Sequence, residues 1–367
     1  MRIIISGGGT GGHIYPALTI AEQIKKNQPS SDITFVGTQA GLERDIVPRY
    51  GYPLEFIEIA GFERKLSKDT FKSVFKLFKG LQQARQLVKK IQPELVIGTG
   101  GYVCGPVLLL AALKGIPTCI QEQNAMPGVT NKILSYFVNK VFLGYAEAEQ
   151  YFGGKSQKVF TGNPVREELL TAKRSQAIVA LGLDPNKKTV LISGGSRGAR
   201  SINQAMLVVN ETLANSKKLQ IIHVTGTAGY EETCKKLSKT VLQANNIKIV
   251  PYLHDMPQAL ALTDLAVFRA GAIGLAELTA LGVPSILIPY PYATANHQEF
   301  NAQALAKAGA AVVIKDSDLT GKILLEQLAI ILQNENKLKE MQKEAIGLGR
   351  PHAAVDIANQ ALALVKA

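Results

Sequence analysis

Glycine-rich turns follow short apolar runs at four places in this sequence, and each turn precedes a helical stretch. They are residues 7–13 (GGGTGGH), 98–102 (GTGGY), 194–199 (GGSRGA) and 269–274 (RAGAIG). Glycine lets the backbone approach a ligand closely, and the free N–H groups and dipole of a helix N-terminus favour an anion. Buried strands that end in such turns are therefore expected to seat phosphate and sugar oxygens.

Two ionisable side chains accompany these turns. His13 ends the first turn, where the positive end of a helix dipole suits a general base or a group that holds a substrate hydroxyl. Glu277 lies about two helical turns beyond the fourth glycine turn, and its carboxylate could accept both hydroxyls of a ribose. The alternatives are a histidine that only shapes its loop and an ordinary surface glutamate.

Polar side chains also cluster just after other predicted strands. These clusters are residues 121–124 (QEQN), 163–166 (NPVR) and 296–301 (NHQEFN). Amides at the start of a helix can read sugar hydroxyls, although most loop amides are solvated or cap a helix.

A dinucleotide site is the first alternative for the N-terminal turn, because Gly7, Gly9 and Gly12 have the G-x-G-x-x-G spacing. That motif also needs an acidic residue at the end of the second strand, to bind the ribose. The strand at residues 33–36 is followed by Gly-Thr-Gln-Ala, and the next carboxylate is Glu43. The missing acid disfavours a nicotinamide or flavin site.

A basic segment with an aromatic stripe covers residues 62–90. Nine cations and two acids give it a net charge of +7, and phenylalanines recur within it at helical spacing. Such a helix is typical of attachment to an anionic membrane surface, although core packing of the stripe is the alternative. Nucleic acid is disfavoured because no recognition fold is evident. The predicted membrane patch consists of Phe71, Lys72, Phe75, Lys76, Phe78 and Lys79.

The composition fits a two-domain α/β protein. The chain has 367 residues, is 46% hydrophobic and contains 33 glycines. Its 41 basic and 29 acidic residues give a formal charge of +12, which favours acidic partners. Three widely spaced cysteines indicate reduced core thiols. The longest apolar run, residues 107–113, is too short to span a bilayer, and we expect no signal peptide.

Thirteen short apolar runs alternate with helical stretches, which predicts parallel sheets with right-handed crossovers. The breaker cluster at residues 162–164 marks the domain boundary. We expect an N-terminal domain over residues 1–163, a C-terminal domain over 164–340 and a C-terminal helical segment over 341–367. The predicted strands are residues 3–6, 33–36, 54–59, 95–97, 118–121, 140–143 and 158–161, followed by 189–192, 220–224, 247–250, 265–268, 285–288 and 311–314.

Taken in order, the motifs resemble those of the MurG family of undecaprenyl-diphospho-muramoylpentapeptide β-N-acetylglucosaminyltransferases. The resemblance covers essentially the whole chain. It implies an α/β protein of the GT-B fold, in which two Rossmann-like, doubly wound parallel-sheet domains face a cleft. The matching residues are 8–13, 100–102, 105–106, 122–124, 162–166, 194–196, 198–200, 269–272, Gln298 and Asn301.

The family resemblance implies inverting transfer of N-acetylglucosamine from UDP-GlcNAc to the 4-hydroxyl of an undecaprenyl-diphosphate-linked muramoyl-pentapeptide. This step converts lipid I to lipid II in peptidoglycan synthesis, so a peripheral protein on the cytoplasmic face of the cell membrane is expected. We expect no cofactor and no metal, because fixed N–H dipoles of the turns would stabilise the diphosphate leaving group. The alternatives are a GT-B enzyme with another acceptor, a UDP-sugar 2-epimerase, and a peripheral membrane protein that binds nucleotide-sugars without catalysis.

The resemblance also carries over individual residues. His13 is expected to assist deprotonation of the attacking hydroxyl, Glu277 to hold the ribose, and Leu253 to abut the uracil. Departures from the family pattern are Arg197, Gly274 and Leu253. The implied donor-site residues are Thr10, Gly11, Gly12, Asn124, Arg166, Ser196, Leu253, Ala272, Ile273, Gly274, Glu277 and Gln298. The acceptor-site residues are His13, Gly101, Tyr102 and Asn124.

Overall fold

A computed structural model describes residues 1–59, 68–195 and 198–366, except for the side chains of residues 68–77 and 366. The chain divides into two compact units. The first comprises Met1–Val165 together with Pro351–Ala367, and the second comprises Arg166–Arg350. The chain therefore passes from the first unit to the second after residue 165 and returns to the first after residue 350.

The first unit is built on a seven-stranded parallel sheet with the strand order β3-β2-β1-β4-β5-β6-β7. Its strands are rich in buried β-branched residues, as expected for a sheet covered on both faces. They are β1 Arg2–Gly7, β2 Asp32–Gly37, β3 Leu54–Phe56, β4 Leu95–Gly100, β5 Thr118–Glu122, β6 Lys140–Leu143 and β7 Gln157–Phe160.

Helices cover the two faces of this sheet, because successive side chains of a strand point to opposite sides. Ile3 and Ile5 pack in one core cluster with residues of the first helix, and Ile4 packs in the other cluster. The helices are α1 Gly11–Asn27, α2 Glu43–Ile46, α3 Lys68–Ile91, α4 Cys104–Leu113 and α5 Val129–Leu134, with short 3-10 turns at Val47–Tyr50 and Ala146–Tyr151.

The second unit repeats the same plan with a six-stranded parallel sheet in the order β10-β9-β8-β11-β12-β13. Its strands are β8 Lys188–Ser193, β9 Leu219–Val224, β10 Ile247–Val250, β11 Leu265–Phe268, β12 Ser285–Leu287 and β13 Ala311–Val313. The thirteen strands of the described chain match the thirteen predicted ones, apart from small shifts at their ends. They confirm two Rossmann-like, doubly wound domains.

Among the described residues, the second unit has ten helices, and a last helix then returns to the first unit. This last helix, Ala353–Lys366, places Ile357, Ala358 and Ala361 in the core beside α1. The ten are α6 Glu167–Thr171, α7 Arg174–Leu181, α8 Arg200–Leu213, α9 Tyr230–Lys236, α10 Lys239–Leu242, α11 Met256–Leu262, α12 Ala272–Ala280, α13 His297–Lys307, α14 Gly321–Leu332 and α15 Glu335–Leu348, and the last helix is α16. Further 3-10 turns lie at Thr227–Gly229 and Thr294–Asn296.

Within the described part of the chain, no helix combines the length and apolarity that crossing a bilayer requires. The three cysteines are free, and two of them lie in the core. Burial raises the pKa of the Cys104 thiol to about 11 and that of Cys119 to about 12. High thiol pKa values make both side chains poor nucleophiles.

The strand order reverses direction between β1 and β4 in the first unit, and between β8 and β11 in the second. Ligands of doubly wound sheets bind beyond the carboxyl ends of the strands at such switch points. The first and second glycine turns follow β1 and β4, and the third and fourth follow β8 and β11. Each unit therefore brings two glycine turns together at its switch point.

Candidate functional site

The first glycine turn connects β1 to α1 and needs glycine for two reasons. A side chain at Gly7 would overlap the hydroxyl of Thr99 on β4, and Gly9 has a φ of +85°, in the left-handed region. Helix α1 begins at Gly11 without a side-chain cap or an acidic residue in its first turn. The N–H groups at the start of α1, including those of Gly11 and Gly12, are therefore not bound by a capping side chain.

His13 lies in the first turn of α1 and is held against β4. Its Nδ1 atom is 3.0 Å from the carbonyl oxygen of Thr99 and 3.0 Å from Oε1 of Gln123. Since both partners are acceptors, Nδ1 carries the proton in the neutral imidazole. The lone pair is then on Nε2, where it is available to a substrate proton.

Buried side-chain amides hold the His13 ring on its Nδ1 side. The amide nitrogen of Gln123 donates to the carbonyl of Thr99 at 2.7 Å and to that of Gln121 at 3.0 Å, so its oxygen faces His13. Asn163 donates to the carbonyl of Gln123 at 2.9 Å. The sequence identifies these residues as polar groups beyond strands, and Gln123 and Asn163 also lie within the family motifs. The structure shows that they hold one another and His13.

Asn124, a predicted donor- and acceptor-site residue, is positioned by a buried carboxylate. Glu122 is 1% exposed and its Oε1 accepts from the backbone N–H of Asn124 at 3.0 Å and from its side-chain amide at 3.1 Å. The second oxygen accepts from Gly128 and Asn131 at 3.1 and 2.9 Å. The loop after β5 is therefore tightly ordered around Asn124.

The second glycine turn lies directly beside His13. Gly100 and Gly101 have φ values of +109° and +85°, and a side chain at Gly100 would overlap the His13 ring. Tyr102 follows with half of its side chain exposed. The first unit thus brings the predicted acceptor residues His13, Gly101, Tyr102 and Asn124 to one end of its sheet.

Glu43 is a residue of this site that sequence reasoning missed. It is fully buried, and its Oε2 accepts from the N–H of Gly9 at 2.8 Å. Its Oε1 accepts from the N–H and the hydroxyl of Thr38, each at 2.8 Å. A single sequence offers no signal for this role, since an isolated glutamate after a strand resembles any surface acid.

In the second unit, the third glycine turn connects β8 to α8. Gly195 and Gly198 have φ values of +85° and +74°, and a side chain at Gly198 would overlap the backbone of Thr225. Helix α8 has no acidic residue in its first turn. Ser196, a predicted donor residue, and its neighbour Arg197 lie outside the described residues.

The fourth turn opens α12 between Gly271 and Ala272. No side chain caps this helix and no acid lies in its first turn, so the N–H groups of Ala272, Ile273 and Gly274 head the helix. At Gly274 the nearest atom to an added side chain would be 3.8 Å away, on Phe268. This departure from the family pattern therefore leaves space at the turn.

Glu277, further along α12, forms an ion pair with Arg166. Its Oε1 lies 2.9 Å from Nη2 and 3.2 Å from Nε of the guanidinium. Burial raises the pKa of Glu277, and the attraction and hydrogen bond of Arg166 oppose that rise. The two predicted donor residues are thus brought together, and Glu277 is a buried, paired acid rather than a surface one.

Arg269 ties the fourth turn to its neighbours in an arrangement that the sequence did not predict. Its Nη1 donates to the carbonyls of Ile288 and Pro289 at 3.1 and 3.2 Å and to Asp316 at 2.5 Å. Its Nη2 donates to Ser201 at 2.9 Å. Asp316 and Asp318 have an Asp-x-Asp spacing, but the Asp316 carboxylate is held by this guanidinium.

Gln298 and Leu253 flank the two turns of the second unit. Gln298 lies at the start of α13, where its Oε1 accepts from the N–H of Tyr290 at 2.9 Å, leaving its amide nitrogen to donate elsewhere. Asn301 is buried one turn later and donates to the carbonyl of Ala270 at 3.3 Å. Leu253 is 9% exposed in the loop after β10.

The predicted membrane patch is only partly described. Residues 71–79 belong to α3, but the side chains of Phe71, Lys72, Phe75 and Lys76 lie outside the described residues. Phe78 is 68% exposed. Lys79 forms an exposed ion pair with Glu58 at 2.7 Å.

Two family models match this chain. The glycosyltransferase family 28 N-terminal domain matches residues 3–143, and the glycosyltransferase family 28 C-terminal domain matches residues 189–360. Apart from the first residues of β1 and β8, the first range contains β1 to β6 and the second contains β8 to β13.

Several proteins with one shared name are similar over nearly the whole chain. The name is UDP-N-acetylglucosamine–N-acetylmuramyl-(pentapeptide) pyrophosphoryl-undecaprenol N-acetylglucosamine transferase. The relative from Desulforamulus reducens is 51% identical over 360 residues, which cover 97% of each chain. The relative from Acetivibrio thermocellus is 50% identical over 353 residues, covering 96% of this chain and 95% of the relative.

Solved structures give the same result. The crystal structure of Acinetobacter baumannii MurG has 30% identity and a TM-score of 0.79, with 99% of each chain covered. The UDP co-structure of Staphylococcus aureus MnaA has 14% identity and a TM-score of 0.70, which shows a shared fold alone. The two Rossmann-like domains have the GT-B fold, and this chain is a glycosyltransferase of family 28 that belongs to the MurG family.

Proposed function

We propose that this protein transfers N-acetylglucosamine from UDP-GlcNAc to the 4-hydroxyl of undecaprenyl-diphosphate-linked N-acetylmuramoyl-pentapeptide, making lipid II for peptidoglycan. The observation that carries the proposal is identity of about half of all residues, over nearly the full chain, with transferases named for this reaction. The 2-epimerases among the structural neighbours share only the fold, at 12% identity for the enzyme from Neisseria meningitidis. No observation favours that alternative.

The second unit is proposed to bind the donor. Leu253 follows β10, the third and fourth turns follow β8 and β11, and Gln298 follows β12. Adjacent strands are about 4.8 Å apart, so the four steps from β10 to β12 span roughly 19 Å. An elongated nucleotide-sugar fits this row, with uracil near Leu253, diphosphate over the turns and the sugar toward Gln298.

The leaving group gains negative charge as the bond to the sugar breaks. Backbone N–H groups of the turn at Ser196 and of the first turn of α12 are proposed to stabilise that charge, because fixed dipoles need little reorganisation. Arg166 supplies a positive charge while it orients Glu277 for the ribose. No step of this scheme requires a cofactor.

The first unit is proposed to bind the acceptor and accept its proton. Protonation at Nδ1, fixed by Thr99 and Gln123, leaves Nε2 of His13 as the base for the attacking hydroxyl. Direct attack on the anomeric carbon from the face opposite UDP inverts its configuration to a β-linkage. Tyr102, Gly101 and Asn124 are proposed to line the acceptor site, with Thr10, Gly11 and Gly12 beside the donor sugar.

We further propose a peripheral location on the cytoplasmic face of the cell membrane. The support is the lipid-linked acceptor in the names of the relatives, the net charge of +7 over residues 62–90 and the exposure of Phe78. Each cation near an anionic surface contributes about 1 kcal/mol, which is enough for reversible attachment. Binding to vesicles with and without anionic lipid would test this location.

The test of function is an assay with radiolabelled UDP-GlcNAc and a lipid I analogue. The expected result is label in the lipid product and one UDP released per transfer, both dependent on the acceptor. A 2-epimerase would instead release an epimerised sugar without acceptor. Donor binding with no product in any acceptor mixture would indicate a non-catalytic protein and overturn the proposal.

A further inference from the structure

Glu43 is a buried carboxylate for which the reaction has no obvious use. It is the first residue of α2, and it is fully buried. Its two oxygens accept three hydrogen bonds of 2.8 Å, one from Gly9 in the first glycine turn and two from Thr38 beyond β2. Burying a carboxylate is costly unless hydrogen bonds compensate, so such a group marks a tightly specified place in the fold.

Three glycines make room for this carboxylate. A side chain at Gly8, Gly37 or Gly41 would overlap the carboxyl group of Glu43 or its adjoining methylene. None of these three glycines has a φ in the left-handed region. Their lack of a side chain is therefore explained by the space that Glu43 occupies and not by backbone strain.

The turn that Glu43 holds is the one that carries His13. Gly9 lies two residues before the start of α1, so its N–H is fixed from the β2 side by Glu43. From the β4 side, the hydroxyl of Thr99 donates to the carbonyl of His13 at 2.8 Å. The segment from Gly9 to His13 is thus held at one end by a side chain of α2 and at the other by a side chain of β4.

We propose that Glu43 is a positioning residue of the acceptor half-site, which acts through the Gly9 N–H to set the direction of His13. The inference rests on the proposed function, in which Nε2 of His13 receives the acceptor proton. Small displacements of a catalytic group cost rate steeply, because proton transfer needs hydrogen-bond distance and alignment. Glu43 itself does not touch the substrate.

Three substitutions disturb the hydrogen bonds of Glu43 to different extents. Glu43→Gln replaces one acceptor oxygen with an NH2 group, which cannot accept from Gly9 or Thr38. Gly41→Ala keeps the Glu43 carboxylate but displaces it, because the added methyl group would overlap it. Thr38→Val removes only the hydrogen bond from the Thr38 hydroxyl. The matched control is Asp264→Asn in the second unit, where Asp264 accepts from the N–H of Thr189 at 2.6 Å, far along the sequence from His13.

The measurements are kcat and KM for acceptor and donor, the Kd of UDP, and the His13 ring signal in a 13C–1H spectrum, assigned with His13→Ala. We expect Glu43→Gln to lower kcat/KM for the acceptor at least about tenfold, with smaller losses for Gly41→Ala and Thr38→Val. The Kd of UDP should stay within about twofold, because the residues proposed to bind the nucleotide belong to the second unit, whereas Glu43 belongs to the first. The His13 signal should move in all three variants and not in Asp264→Asn.

The proposal is overturned if the variants lose activity only in proportion to their unfolded fraction, with acceptor KM and the His13 signal unchanged. If Glu43→Gln does not fold, the same readouts in Gly41→Ala and Thr38→Val decide the matter. If the wild-type protein makes no lipid product, the proposed function fails. The His13 signal still tests the role of Glu43 in that case.

Discussion

The two switch points of this molecule share one topology. A negatively charged side chain holds the turn in the first unit, and a positively charged side chain holds the turn in the second. In the first unit, the carboxylate of Glu43 accepts from Gly9 and fixes the turn after β1. In the second, the guanidinium of Arg269 donates to Ile288 and Asp316 and fixes the turn after β11. Each group is mostly or fully removed from water.

This difference assigns distinct tasks to turns that look alike in sequence. A carboxylate that occupies a turn N–H disfavours an anion there, whereas a guanidinium behind a helix N-terminus leaves the N–H groups free for one. The first turn is thus suited to present His13 to an uncharged hydroxyl, and the fourth to receive a diphosphate. Four similar glycine turns therefore do not make four similar anion sites.

Replacing His13 should have the largest effect on activity. We expect His13→Ala to lower kcat by about 10²- to 10⁴-fold, the usual contribution of a general base, and to leave the Kd of UDP unchanged. Steady-state kinetics at saturating substrates and a UDP titration measure the two effects. The control is His352→Ala, an exposed histidine before α16. Intact turnover in His13→Ala would remove the proposed role of this residue.

Removing the Arg269 guanidinium should affect stability and UDP binding, whereas removing His13 should affect turnover. Arg269→Ala leaves Asp316 without its partly buried partner, so we expect a loss of about 2 kcal/mol in the free energy of unfolding. UDP binding should weaken as well, because the turn loses its support. Chemical unfolding and a UDP titration measure these changes. Arg174→Ala, which breaks the more exposed pair with Asp264, should cost less and spare UDP affinity; equal losses in both variants would contradict a special role for Arg269.

A buried histidine should make the second unit sensitive to acid. Burial lowers the pKa of His223 to about 4 from its ordinary 6.5, and its ring is bound by Asn203 and Asn210. Since the unfolded chain takes up the proton more readily, stability is complete above pH 6.5 and is lost as the pH falls toward 4, by about 3 kcal/mol in total.

Urea unfolding of the isolated protein at several pH values, followed by a probe in the second unit, measures this slope. His223→Gln should be less stable at pH 7, because the buried asparagines lose their partner, but its stability should fall less between pH 6.5 and 4. An unchanged slope in that variant would show that other groups cause the acid sensitivity.

The smallest expected effect concerns backbone strain just before α13. Ala295 and Asn296 have φ values of +52° just before α13, which carries Gln298. The left-handed region costs an ordinary residue about 1 kcal/mol, so Ala295→Gly should stabilise the protein by roughly 0.5 kcal/mol after the entropy cost of glycine. The matched control Ala306→Gly, inside α13, should destabilise it by roughly 0.5–1 kcal/mol. A destabilising Ala295→Gly, measured by urea unfolding, would contradict strain at this position.

Much of the fold could be predicted because its signals are local. Alternating apolar runs and glycine turns locate strands and helix starts within a few residues, as at β1 and β8, since a buried parallel strand must be apolar throughout. Family motifs named the residues at the ends of the strands. The predicted site residues nevertheless stay predictions, and Ser196 lies outside the described residues.

The amino-acid sequence alone therefore predicts which elements form, where glycines free the backbone, and which residues lie at the ends of strands. The partners of these residues are known only from the folded structure. It placed β1 beside β4, brought Glu43 to Gly9 and Asp316 to Arg269, and turned Glu277 from a surface acid into the buried partner of Arg166. The physical reason is that hydrogen bonds and charge pairs act through space over a few ångströms, whereas their partners lie between 34 and 111 residues apart along the chain.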